Sequence, residues 1–274
     1  MSLPNFHTHT TFCDGKNTAE EMVLAAIGKG MTELGFSTHG HMDFADWSIS
    51  LENTERYKEE VLRLKEKYSD KIRIYLGIEY DYFCDFPTDD YDYVIGAVHY
   101  IEKNGEFLSV DHAPSIFLND VEKHYDGDFF GYVRDYYKTV ADIYNKTHCD
   151  IVAHFDLVTK FNQNSALFDV KDKQYIKYAG DALDALLKTP AVFEVNTGAI
   201  SRGYRKEPYP ADFLLDRIVK SGKIPVINSD THSAKTVNFY IEETAASLEY
   251  RGIPYCTCLA DVLKQSRGFV GAKL

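Results

Sequence analysis

Residues 6–15 read FHTHTTFCDG, and the fold turns on how that segment is read. It overlaps a short apolar run, residues 5–10, in which His7 and His9 stand two apart. In an extended strand that spacing puts both imidazoles on one side. Asp14 follows just beyond. Thr18, with Glu21 three residues on, then makes a capping-box signature. Met22, Leu24, Ala25 and Ile27 give the predicted helix an apolar side through residue 29, and Gly30 stops it. A strand that ends in metal-type ligands and passes into a helix is thus the first unit of the chain.

The same unit recurs. Further apolar runs cover residues 32–37, 72–80, 93–100, 150–154, 191–197 and 224–229. They are rich in Val, Ile, Phe and Tyr, as strands buried on both faces should be. Helical patterns lie between them. Residues 51–69 carry Tyr57, Val61, Leu64 and Tyr68 near helical spacing, with charges between. Residues 129–147 and 171–188 read the same way, and a further helix is expected over 241–250. Residues 209–222 should form a helix that opens with Pro210 and closes with Gly222. Residues 85–92 and 102–127 read as loop insertions. Alternating strands and helices imply parallel strands with right-handed crossovers. About seven units fit, in a single domain spanning 1–274, close to the eight of the standard barrel.

The end of nearly every predicted strand carries a residue able to bind metal. The first supplies His7 and His9, with Asp14 beyond; the others supply His39, Glu79, His99, His154, and the pair Asp230 and His232. In a β/α barrel the C-terminal ends of all strands converge on one face, so these nine residues would share a bowl. A lone histidine pair or a lone carboxylate after a strand is commonly structural or a helix cap. Six histidines and three carboxylates crowded together would be costly to desolvate without cations to relieve them. Imidazole and carboxylate without thiolate suit Zn, Mn or Fe and disfavour Ca or Mg alone. Nine ligands are too many for one ion, so two or three divalent ions are expected, with Glu79 placed to bridge.

Composition narrows the alternatives. The chain has 274 residues, enough for one large core, and a net charge of −12, which argues against a nucleic-acid partner. A small anionic substrate stays open, because bound metals reverse the local charge. Five cysteines, an odd number and mostly far apart, do not suggest a disulfide framework. Cys256 and Cys258 form a C-x-C without further ligands nearby, and read as small residues beside a terminal helix. No run is long enough to span a membrane and no secretory signal is apparent, so a cytoplasmic protein is expected.

Six segments in order resemble the polymerase and histidinol phosphatase (PHP) superfamily. They are FHTHTTFCDG at 6–15, STHGH at 37–41, GIEYDY at 77–82, DYVIGAVHY at 92–100, VAHFDL at 152–157 and NSDTH at 228–232. Together with EVNTGAISRGYRKEPYP at 194–210, they look most like the stand-alone histidinol-phosphate phosphatases. The resemblance implies a distorted TIM-like (β/α)7 barrel and a trinuclear centre. It would place His7, His9, Glu79 and Asp230 on one ion. Glu79, His99 and His154 would serve a second, and Asp14, His39 and His232 a third. It further implies hydrolysis of a small phosphate monoester, L-histidinol phosphate, in histidine biosynthesis. A phosphotyrosine peptide or nucleotide-like ester is the alternative substrate, and a non-catalytic metal-binding module the rival of another class.

A phosphatase must also hold its phosphate and protonate its leaving alcohol. Arg202 and Arg205 follow the sixth run, and Lys160 the fifth, so all three are candidates for the phosphate; the family often has an arginine near the position of Lys160. Asp230, His232 and His99 are the candidates for the proton. His41 can line the mouth or serve its loop, and Asp43 and Asp46 can meet a substrate amine or act as loop and capping residues. His112, His124 and His148 fall outside the strand-end pattern and read as structural or exposed.

Overall fold

The computed structural model describes residues 3–268. Its centre is a six-stranded parallel sheet. Five of the strands are β1 (Glu33–His39), β2 (Arg73–Asp81), β3 (Tyr93–Ala97), β7 (Val192–Asn196) and β8 (Val226–Asn228). The sixth, β6 (Ile151–Val152), lies between β3 and β7, giving the order β1-β2-β3-β6-β7-β8. Chain order and spatial order coincide, so the sheet curls in one direction. The N-terminal segment then reaches both of its edges. Asn5 bridges Leu34 of β1, and Thr8 bridges Thr231 just after β8. His9 N–H donates to Thr231 O (2.8 Å), Thr231 N–H to His7 O (3.1 Å), and Gly35 N–H to Asn5 O (2.8 Å). The expected first strand is therefore a pair of bridges that closes the curl, rather than a continuous ladder.

The period of two in the strands sorts the inward side chains by height. On β1 one face carries Gly35, Ser37 and His39; on β2 it carries Tyr75, Gly77, Glu79 and Asp81. Lower down, Phe6, Tyr75, Tyr93, Ile151, Val192 and Val226 pack together over Leu259 and Val262. These last two lie on the helix α9 (Leu259–Arg267), which floors the sheet. Gly77 makes this possible, since a β-carbon there would lie 2.3 Å from the Tyr93 ring. The upper positions carry the polar groups.

Helices cover the outside. α1 (Ala19–Gly28) has the expected capping box, with Glu21 N–H donating to Thr18 Oγ1 (3.3 Å) and Thr18 N–H to Glu21 Oε2 (2.8 Å). α2 (Leu51–Lys67), α4 (Phe129–Thr147), α5 (Lys173–Leu186) and α8 (Ile241–Tyr250) lie within or on the expected bounds. Two expectations need correction. Residues 102–127 are no plain loop: they contain most of an antiparallel hairpin, β4 (Tyr100–Lys103) with β5 (Glu106–Ser109), and the helix α3 (Pro114–Tyr125). The signal was Asn104-Gly105, both at positive φ, the dipeptide a tight hairpin turn favours. The helix expected over 209–222 is α7 (Asp212–Lys220), because Tyr209 is held extended in a bridge to Asn196. Between β7 and α7 a short turn, α6 (Gly198–Ser201), precedes Arg202. No helix among the described residues is long and apolar enough to cross a membrane.

Candidate metal centre

The nine expected ligands meet above the C-terminal end of the sheet. His39 and Glu79 are register partners on β1 and β2, so their side chains start as neighbours. Glu79 Oε2 lies 3.1 Å from His7 Nε2, 3.4 Å from His9 Nε2 and 2.8 Å from His39 Nδ1. Its other oxygen, Oε1, lies 3.4 Å from His99 Nε2 and 3.1 Å from His154 Nε2. Asp230 Oδ1 completes the near side, 3.7 Å from His7 Nε2 and 3.5 Å from His9 Nε2. Asp14 joins the rim, 3.6 Å from His39 Nε2 and 3.2 Å from His232 Nε2. Asp230 itself sits at φ +46°, an uncommon conformation for a residue other than glycine.

This donor set fits cations. His7 Nε2, His9 Nε2 and Glu79 Oε2 are buried without a hydrogen-bond partner, a costly state for three polar atoms pointing at one another. Tetrahedral ligation at ~2.0–2.1 Å sets neighbouring donor atoms roughly 3.3 Å apart, close to the separations above. Three ligand groups form: His7, His9 and Asp230; His9, Asp14, His39 and His232; His39, Glu79 and His99. His154 stands outside these groups but contacts Glu79 Oε1.

The ionisable groups are strongly coupled. Burial would raise the pKa of Glu79, but His7, His39 and His99 hold it well below the ordinary value. Asp230 is likewise held low against its burial, by Arg202 and His7. Burial works to lower His39, yet Glu79 and Asp14 lift it to about 10. His7 and His99 are raised in the same way by their carboxylates, again against burial. His9, buried and flanked by His232 and His39, is pushed well below its usual value.

Several residues outside the nine support them. Asp81 Oδ2 accepts from the His99 backbone N–H (2.8 Å) and lies 3.1 Å from His99 Nδ1. Glu194 Oε2 lies 3.0 Å from His7 Nδ1. Burial acts to raise the Glu194 pKa, but His7, with His154 and Asn196, holds the carboxyl below its ordinary value. Carboxylates behind the far nitrogen of a ligating histidine orient the ring and raise its basicity. Their sequence signals were available: Asp81 is two residues beyond Glu79, and Glu194 is a charge inside an apolar run.

A cavity of about 440 Å³ opens above the cluster. Its wall includes Asp14, His39, His99, His154, Asp230 and His232, together with Arg202 and Lys160. Arg202 donates from Nη2 to Asp230 Oδ2 (3.0 Å) and from Nη1 to Asp230 O (3.2 Å), with His232 Nδ1 also 3.2 Å from Nη1. Room for this pair comes from Gly198, where a β-carbon would stand 2.7 Å from Asp230 Oδ2 and 2.9 Å from Arg202 Nη2. Lys160 Nζ donates to Asp111 O (2.8 Å) and Oδ2 (2.9 Å), so its charge is shared with that carboxylate. Arg205 departs from expectation and is not part of this wall. Its guanidinium lies over the Tyr209 ring, bonds Thr159 Oγ1 and stands 3.9 Å from Asp156 Oδ2. The buried Asp156 carboxylate draws it below the surface.

The remaining expectations divide. Asp46 lines the cavity, beside Trp47 and Asp111, which were not anticipated. Trp47 packs edge-on against His39 and His99 and donates to Tyr100 Oη (3.0 Å). His41 serves its loop, 2.8 Å from Ile49 O and 3.0 Å from Asp43 Oδ1. His112 is exposed, as expected, and also reaches the cavity wall. His124 lies 3.6 Å from Glu106, and His148 caps α4.

The chain is similar to known proteins. The family model for the PHP domain matches residues 5–198. A probable histidinol-phosphatase of Deinococcus radiodurans is 29% identical over 86% of this chain and 89% of its own length. The histidinol-phosphatase of Bacillus subtilis is 26% identical over 88% of this chain and 98% of its own. Among solved structures, the chain resembles histidinol phosphate phosphatase from Lactococcus lactis, crystallised with Zn, L-histidinol and phosphate. That likeness has a TM-score of 0.70 at 21% identity, covering 93% of this chain and 95% of the other.

Proposed function

The chain belongs to the PHP domain family, and from that premise we propose that it is a metal-dependent phosphatase that hydrolyses L-histidinol phosphate to L-histidinol and inorganic phosphate. The observation that carries this reading is the cluster itself: buried, partnerless imidazole and carboxylate atoms converge at donor–donor spacing beneath an open cavity. Two relatives named for this activity align over most of both chains. A similar fold carries Zn, L-histidinol and phosphate together.

In this reading His7, His9, Glu79 and Asp230 hold one divalent ion. Glu79, His99 and His154 hold a second, and Asp14, His39 and His232 a third. Zn, Mn or Fe suits the donors. Ions bound there supply Lewis acidity that activates water and polarises the phosphoryl group. The protein's own groups do the rest. Arg202, on the cavity wall, offers a planar fork to phosphate oxygens, and Lys160 offers a second positive charge. The proton for the departing alcohol comes from among Asp230, His232 and His99, all on that wall. Asp46 and Asp111 give the wall an acidic character suited to the amine of histidinol, with Trp47 an apolar surface for its ring.

The whole chain, 1–274, acts as one domain. We read its scaffold as a distorted seven-unit (β/α) barrel, counting the bridging N-terminal segment as the first unit. The same reading assigns it to histidine biosynthesis in the cytoplasm. The deciding experiment measures steady-state rates on L-histidinol phosphate beside a panel containing a phosphotyrosine peptide and a nucleotide ester, with bound metal quantified. A clear preference for histidinol phosphate supports the assignment. Faster turnover of another ester would replace the substrate, and no metal-dependent turnover of any ester would remove the activity.

A further inference from the structure

Glu194 occupies an unusual position for a charged residue. It lies within β7, 1% exposed, with neither oxygen reaching the cavity wall. Each of its oxygens meets two donors. Oε1 accepts from the His154 backbone N–H (2.8 Å) and from Asn196 Nδ2 (2.7 Å). Oε2 accepts from Asn228 Nδ2 (2.9 Å) and lies 3.0 Å from His7 Nδ1. The donors come from four separate segments: the N-terminal bridge, the end of β6, β7 and β8. Two of the four belong to the proposed metal ligands His7 and His154.

We propose that Glu194 is a positioning residue of the centre, which keeps the His7 proton on Nδ1 and thereby presents a bare Nε2 to a cation. A carboxylate offers only acceptors, so the atom facing it on His7 must carry hydrogen. In a neutral ring that leaves the lone pair on Nε2, the atom that has no hydrogen-bond partner and stands 3.1 Å from Glu79 Oε2. The same carboxylate sets the backbone at His154, so one side chain orients ligands on two sides of Glu79. The inference rests on His7 being a ligand and is independent of which ester is the substrate.

The test uses zinc-loaded protein with ¹⁵N-labelled histidine, the His7 signals being assigned with a His7→Gln variant. Wild-type protein should show His7 protonated at Nδ1 and zinc-bound at Nε2. Glu194→Gln keeps the shape but supplies one acceptor oxygen and two donor hydrogens, so it cannot satisfy all four donors. It should lose the Nδ1–H signal and weaken zinc retention against a chelator by about 10- to 100-fold, the usual effect of removing such a partner. A wild-type His7 protonated on Nε2 would overturn the proposal, whether or not the variant folds. So would a folded Glu194→Gln protein that holds zinc as tightly as wild type. A wild-type protein that binds no zinc would instead bring down the metal reading itself, and this inference with it.

Discussion

Replacing Arg202 and Arg205 separately with Ala should give two different kinds of defect. Both follow the same strand in sequence, but Arg202 lines the cavity while Arg205 lies behind it. A charged hydrogen bond to a desolvated phosphate is worth roughly 1.5–3 kcal/mol. At 1.36 kcal/mol per tenfold in rate, Arg202→Ala should lower kcat/KM by about 10- to 150-fold. Arg202 also binds Asp230 Oδ2, so some loss of metal should accompany the kinetic defect. Arg205→Ala should instead leave the buried Asp156 carboxylate without its cation. Breaking a buried pair costs about 3–5 kcal/mol. The lower end applies here, because burial already raises the Asp156 pKa and the group can take up a proton. About 3 kcal/mol corresponds to a melting temperature lower by roughly 6–12 °C for a protein near this size. The assays are steady-state kinetics on histidinol phosphate, bound-metal analysis and thermal melts of both variants. Wild-type kcat/KM in Arg202→Ala, or a large kinetic loss with unchanged melting in Arg205→Ala, would refute the distinction.

Glu79→Ala should lose at least one ion and nearly all activity, since both carboxylate oxygens face ligand nitrogens; elemental analysis of the purified variant checks this, and full metal content would contradict it. Gly198→Ala should push Asp230 and Arg202 apart and reduce kcat/KM with little change in global stability, read from kinetics and melting together; an unaffected rate would show that the pair is not needed. Protein stripped with a chelator should be most stable between about pH 4.5 and 6.5. Histidines raised above 6.5, namely His7, His39 and His99, contribute stability that is complete below 6.5 and lost as pH rises, for His39 through about 10. Carboxylates held low, such as Glu79, contribute above 4.5 and lose it as pH falls. His9, held low, opposes the trend at acid pH but is a single group against three. Added zinc should reverse the alkaline loss, because deprotonated imidazole binds it better. A stripped protein whose melting temperature climbs from pH 6.5 to 10 would contradict this.

The repeating unit was legible in the sequence because its signals are local. The capping box at Thr18 and Glu21, the helical spacing of Tyr57, Val61 and Leu64, and the apolar runs of β1, β2 and β7 depend on neighbours a few residues away. The placement of the nine ligands was also local, each standing at or just beyond the end of a run, and parallel topology turned those ends into one face. The hairpin at Tyr100–Lys103 and Glu106–Ser109 carried a local signal too, in Asn104-Gly105, but its short strands were masked by the charged residues around them. What the sequence determined alone, then, was the alternation of elements and the residues able to hold cations. Only the tertiary structure decided which way each charge faces. Arg202 and Arg205 are three residues apart, yet one meets Asp230 at the cavity wall and the other is drawn inward to Asp156, a residue from the other side of β7. Glu194 stands out in sequence as a charge inside an apolar run, but its role is set only when His7, His154 and Asn228 arrive around it from distant parts of the chain. A buried charge takes its role from the partners that compensate it, and those partners are assembled by folding rather than by sequence proximity.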